Sequence, residues 1–112
     1  MSKVYAMIEK ARKTVAEKIA EGTITQTQIN TNSADLGMAF DEYVKFQELK
    51  SLAVASGKMT LEDGQAIYCI LGEAGPDRFN AQDYATKAVL TMIFHELLTW
   101  KIKGCPSRLV RA

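Results

Sequence analysis

The chain has one histidine, one tryptophan, two prolines and two cysteines among its 112 residues, and neither sign of charge dominates, with 14 Lys/Arg against 13 Asp/Glu. Each shortage excludes something. Two cysteines are too few for a disulfide scaffold. No apolar run reaches the ~20 residues of a membrane-crossing helix. A balanced charge with 47% hydrophobic residues is unlike a disordered tail or a solvating acidic or basic protein. Met1-Ser2-Lys3 runs into an amphipathic segment, not an apolar block with a cleavage site, so a cytoplasmic location with both thiols reduced is expected. Cys69, inside Ala66–Leu71, is expected to be buried as a small hydrophobe. Cys105, between Gly104 and Pro106, is expected near the surface.

What remains is helical. Val4, Ile8, Ala11, Val15 and Ile19 repeat at spacings of 4, 3, 4 and 4, which predicts an amphipathic helix from about Lys3 to Glu21, stopped at Gly22. Residues 23–34 carry no charge and are rich in Thr and Asn, side chains that compete with helix hydrogen bonds, so this stretch reads as a long connecting loop. A second helix is expected from a cap at Asn32 or Ser33 to just before Gly57. Its apolar face drifts: Leu36, Ala39, Phe40 and Tyr43 fall on one side, Phe46, Leu49, Leu52 and Ala53 on another. Thr60, with Asp63 three residues on, predicts the start of a third helix that closes at Gly72. Asn80, with Asp83 three residues on, predicts a fourth from Ala81 to about Lys103. From Tyr84 to Leu98 that helix is apolar nearly all round, which places it at the centre of a core.

The expected architecture is therefore all-α: a single, four-helix bundle-like domain over residues 1–104 with a central hydrophobic C-terminal helix. A short basic tail follows at 105–112. Residues 1–22 hold five basic and three acidic side chains, and the last twelve residues hold four basic and none acidic. The acidic excess lies between, so the two ends of the chain are basic and its middle acidic.

Chemistry is sparse. His95-Glu96-Leu97-Leu98-Thr99 opens like a zinc-protease helix, but Thr99 stands where the second imidazole is required and no other histidine exists. The di-iron motif Glu-x-x-His fails because Met92 occupies its glutamate position. The seven glycines occur singly, so no phosphate-cradling loop forms. Asp41-Glu42 and Glu62-Asp63 are explained by a solvated face and a first helical turn. No catalytic residue, metal ligand or cofactor is assigned, and His95 is expected to be partly buried and hydrogen-bonded.

The apolar surplus is harder to place within one copy of the chain. It suggests a non-enzymatic interaction protein, a homodimer or an adaptor for another protein, with Tyr43, Phe46, Leu49 and Leu52 as interface anchors. The alternative is a small nucleic-acid-associated regulator that contacts backbone phosphates through Lys10, Arg12, Lys13, Lys101, Lys103, Arg108 and Arg111.

Overall fold

The computed structural model describes residues 2–103, and every regular element among them is a helix: α1 Lys3–Ala20, α2 Gln26–Asp35, α3 Phe40–Ala55, α4 Leu61–Leu71, α5 Asp77–Asn80 and α6 Tyr84–Ile102. The expected all-α class holds, with six helices where four were anticipated. None of these helices is long and apolar enough to cross a membrane. The basic tail expected at 105–112, with Cys105, Arg108 and Arg111, lies outside the described residues.

Helix starts and stops follow local chemistry where the sequence signal is short-range. Ser2 caps α1 by accepting from the Val4 N–H at 3.1 Å. At the other end, Gly22 adopts φ +76°, the Thr23 N–H donates to Lys18 O and the Gly22 N–H donates to Ile19 O. This pair of bonds satisfies the last carbonyls of the helix and needs a residue without a Cβ penalty in the left-handed region. Thr60 caps α4 by accepting from the Asp63 N–H at 3.1 Å.

Residues 23–34 overturn the loop reading. Thr25 accepts from the Gln28 N–H at 3.1 Å and its own N–H donates to Gln28 Oε1 at 2.9 Å. That reciprocal pair satisfies two of the N–H groups left over at a helix start, and α2 follows as an uncharged, Thr/Asn-rich helix. Ile29 is its one buried residue. The single helix expected from residue 33 to 56 is likewise two helices with a break at residues 36–39. Asn80 holds the break: the Met38 N–H donates to its Oδ1 at 2.6 Å and its Nδ2 donates to Met38 O at 3.1 Å. Asn80 is thus not the cap of the last helix. It ends α5, and Asp83 occupies the cap position of α6.

The break explains the drifting stripe, because the helical phase restarts at Phe40. On α3, Tyr43, Phe46, Leu49 and Ala53 face inward. Phe46 stacks on Phe94 of α6 with centroids 4.9 Å apart. Tyr43 Oη and Gln47 Nε2 both donate to Gly72 O at 2.9 Å, tying α3 to the end of α4. Helices α1, α2 and α3 all pack on α6. Helix α1 runs antiparallel to it, with Val4 beside Leu97 and Arg12 beside Asp83 and Thr86. The Arg12–Asp83 pair is about half exposed on both sides, so it adds only ~0.2–1 kcal/mol.

A closer contact joins α3 to α4. A Cβ on Gly64 would lie 2.7 Å from Val54 Cγ2, so the two helices approach through the missing side chain. Gly64→Ala gains about 1 kcal/mol in helix propensity but introduces overpacking worth about 1–3 kcal/mol. In urea unfolding, the substitution is expected to destabilise the wild type and to stabilise a Val54→Ala background. The same sign in both backgrounds would show that the approach is not limited by Val54.

The first and fourth helices are joined by a buried carboxylate. Asp63 Oδ1 accepts from Ser2 Oγ at 2.9 Å, from the Lys3 N–H at 2.7 Å and from the Val4 N–H at 3.4 Å, capping α1 from 60 residues away. Burial works to raise the pKa of this carboxyl, and the bonds from Ser2, Lys3 and Val4 outweigh it, so the value falls below the ordinary aspartate range. A folded-state pKa below the unfolded one stabilises the protein above about pH 4, and that contribution is lost as pH falls through the folded value. Asp63→Asn is therefore expected to be less stable than wild type at neutral pH, with the gap closing as denaturation is measured from about pH 5 toward pH 2. A pH-independent gap would remove the carboxylate from the explanation.

Candidate docking groove

The C-terminal half of α1 leaves the body of the molecule. Val4 and Ile8 are 2% and 3% exposed, whereas Ile19 on the same stripe is 36% exposed. The stripe therefore packs over its first two turns and then opens. Between this departing half, α2 and the first turns of α6 lies a groove of about 500 Å³. Met7, Ala11 and Val15 come from α1, Ile24 and Ile29 from the α2 side, and Ala88, Val89 and Met92 from α6. Met92, expected within an all-round buried helix, is 51% exposed.

The polar members of the groove are one-sided. Lys10, Thr14 and Lys18 line it from α1, Tyr84 from α6, and no carboxylate lines it among the described residues. Neither lysine has an ion-pair partner among the described residues.

Helix α2 forms one wall because Lys87 holds it there. The Lys87 side chain is 6% exposed, and its Nζ donates to Ser33 O at 3.0 Å and to Ser33 Oγ at 3.1 Å. Ser33 lies in the last turn of α2, where its carbonyl also accepts from the Leu36 N–H at 3.2 Å and the helix dipole favours a cation. A buried charge is tolerated here because the helix end satisfies it. Ile29 adds the one buried apolar contact of α2.

The residues singled out from the sequence fall elsewhere. Tyr43, Phe46 and Leu49 are 7%, 0% and 2% exposed within one copy of the chain, and Leu52 is half-buried. The first three are core, so they do not present an interface. The reason is the break at residues 36–39, which turns this face of α3 toward α6 and α4. The outward face is the opposite one, with Phe40 61% and Val44 37% exposed.

The basic residues do not gather into one edge. Lys10 is on the groove rim, Lys13 is exposed on α1, and Arg12 is engaged by Asp83 and Thr86. Lys101 and Lys103 lie at the far end of α6; the 17 residues from Thr86 to Lys103 correspond to about 25 Å of helix. Arg108 and Arg111 are outside the described residues.

His95 is exposed, beside a shallow depression lined by Lys58, Glu96 and Trp100, which corrects the expectation that it is partly buried. Cys69 is exposed on α4, again contrary to expectation, because α4 turns Ile67, Ile70 and Leu71 inward instead. No cluster of three or more His, Cys, Asp or Glu side chains suited to a metal occurs among the described residues.

The groove was not legible from the hydrophobic pattern. Its available signal was Thr25-x-x-Gln28, the capping pair that makes α2 a helix and brings Ile24 and Ile29 opposite α1. No family model, curated protein or solved structure matches the chain.

Lys87→Met keeps most of the apolar stem and removes the donor. A charged hydrogen bond is worth about 1.5–3 kcal/mol, so the opening free energy of α2 is expected to fall by that amount. Hydrogen exchange of α2 amides is then faster by roughly ten- to a hundredfold, with core amides of α3 and α6 unchanged. Unchanged exchange in α2 would mean that Ile29 alone holds it.

Proposed function

We propose that the chain is a non-enzymatic helical interaction protein, and that its contact surface is the α1/α2/α6 groove. In this reading α1, α3, α4 and α6 form a bundle-like body, and α2 is added to it as a wall of the docking surface. The single observation that carries the proposal is an apolar floor open along one side, with Lys10 and Lys18, neither of them ion-paired among the described residues, in its α1 wall. Small-molecule sites enclose most of their ligand. A half-open trough between helices instead suits the apolar face of another helix, presented as anchors at i, i+4 and i+7. The lysine edge selects the charge of that helix, favouring carboxylates beside its apolar stripe.

The test uses a labelled helical peptide with Leu at i, i+4 and i+7 and Glu at the flanking positions, titrated with the full chain by fluorescence anisotropy. Binding is expected, and Met92→Glu, at a half-exposed position in the groove, is expected to weaken it by at least about tenfold, or ~1.4 kcal/mol. Absence of binding up to about 1 mM, or binding indifferent to Met92→Glu, would sink the groove as the contact surface.

A further inference from the structure

We propose that Lys50 is a covalent modification site that takes an aldehyde carried on an apolar chain, held as an imine in the cleft between α3 and α4. This cleft shares no residue with the groove of α1, α2 and α6, so it stands or falls separately from the docking reading. It holds about 410 Å³, with Lys50, Val54 and Ala55 of α3 facing Leu61 and Tyr68 of α4. Leu61 is 64% exposed, and Ala55 and Tyr68 are exposed as well. The cleft is therefore open to an approaching molecule and offers it aliphatic surface beside an amine.

Neutral groups hold that amine. Lys50 Nζ donates to Gln47 Oε1 at 2.7 Å and lies 4.9 Å from the centroid of the Tyr68 ring. Both neighbours are themselves anchored: Gln47 Nε2 donates to Gly72 O at 2.9 Å, and Tyr68 Oη donates to Glu73. Lys50 is half-buried and has no ion-pair partner among the described residues. The ring face and the amide oxygen favour the ammonium form, but loss of water outweighs them, and the Lys50 pKa falls below the ordinary lysine value. More of Lys50 than of an ordinary lysine is therefore free amine, whose nitrogen lone pair attacks a carbonyl carbon. In that step a C–N bond forms, the two amine protons pass to the carbonyl oxygen, and the oxygen leaves as water. A C=N bond remains. The aldehyde's chain then lies along Val54, Ala55 and Leu61 and withdraws apolar surface from water.

The test treats the full chain with limiting hexanal and cyanoborohydride, which delivers hydride to the imine carbon and fixes the adduct as a secondary amine. Peptide mass spectrometry then gives the alkylation rate at each lysine. Lys50 is expected to react about fivefold or more faster than the exposed Lys13 and Lys45, and to lose that lead when the chain is unfolded in urea. Formaldehyde, which carries no chain, is expected to show a smaller lead. Leu61→Ser, at a surface position, is expected to reduce the hexanal lead to the formaldehyde level. Tyr68→Ala, which lets water reach the amine, is expected to abolish the lead with both reagents. Circular dichroism on each variant confirms retained helix. Hexanal alkylation at Lys50 no faster than at Lys13 and Lys45, or a lead that persists in urea or through both substitutions, overturns the inference.

Discussion

Helix α6 spans 19 residues and is apolar over most of its circumference, so leaving it in water exposes more hydrophobic surface than the rest of so short a chain can offset. Each large side chain withdrawn from solvent stabilises the fold by about 1.5–3 kcal/mol. Leu90 and Leu97 are fully buried, and Phe94 lies against Phe46. Helices α1, α2 and α3 pack on α6 with different faces. The fold is the arrangement that covers this one helix. The groove is where the cover stops, at Ala88 and Met92.

Hydrophobic burial is not directional, and directed polar contacts supply the register. Five of them join distant parts of the chain: Asp63 to the start of α1, Asn80 to the break before α3, Lys87 to the end of α2, Arg12 to the start of α6, and Tyr43 with Gln47 to the end of α4. Asp63 and Lys87 bond backbone groups in the first turn of α1 and the last turn of α2, whereas Arg12 bonds the Asp83 and Thr86 side chains at the start of α6. The link at Met38 acts on the connector backbone instead. The outcome is a set of helices whose relative phase is specified by a few side chains. The groove inherits its shape from two of those contacts. Lys87 sets the position of the α2 wall, and Arg12 holds α1 beside α6 just before α1 departs.

Local signals in the sequence were readable where they are complete within a turn or two. The Thr60 cap, the stops at Gly22 and Gly72, and the extent of α1 and α4 all follow from residues close in the chain. The misread elements share one cause. A Thr/Asn-rich run such as 23–34 has poor helix propensity, but its capping pair and the anchors at Ile29 and Lys87 override that preference. The continuous pattern across 33–56 hides a break, because the residue that holds it, Asn80, lies 42 positions away from Met38. Without the break the stripe of one continuous helix drifts and Phe46 and Leu49 read as interface, whereas the structure buries both and leaves Phe40 exposed.

Composition and spacing by themselves determined that this chain is all-helical, where its strongest helices start and stop, and that it carries a single histidine. Those properties depend on neighbours within a turn or on simple counts. Only the tertiary structure decided which face of α3 meets solvent, that an uncharged segment becomes a wall, and that Lys10 and Lys18 border an apolar trough while Arg12 is engaged elsewhere. These outcomes depend on contacts between residues tens of positions apart, and helical periodicity carries no record of which distant side chain will satisfy which helix end.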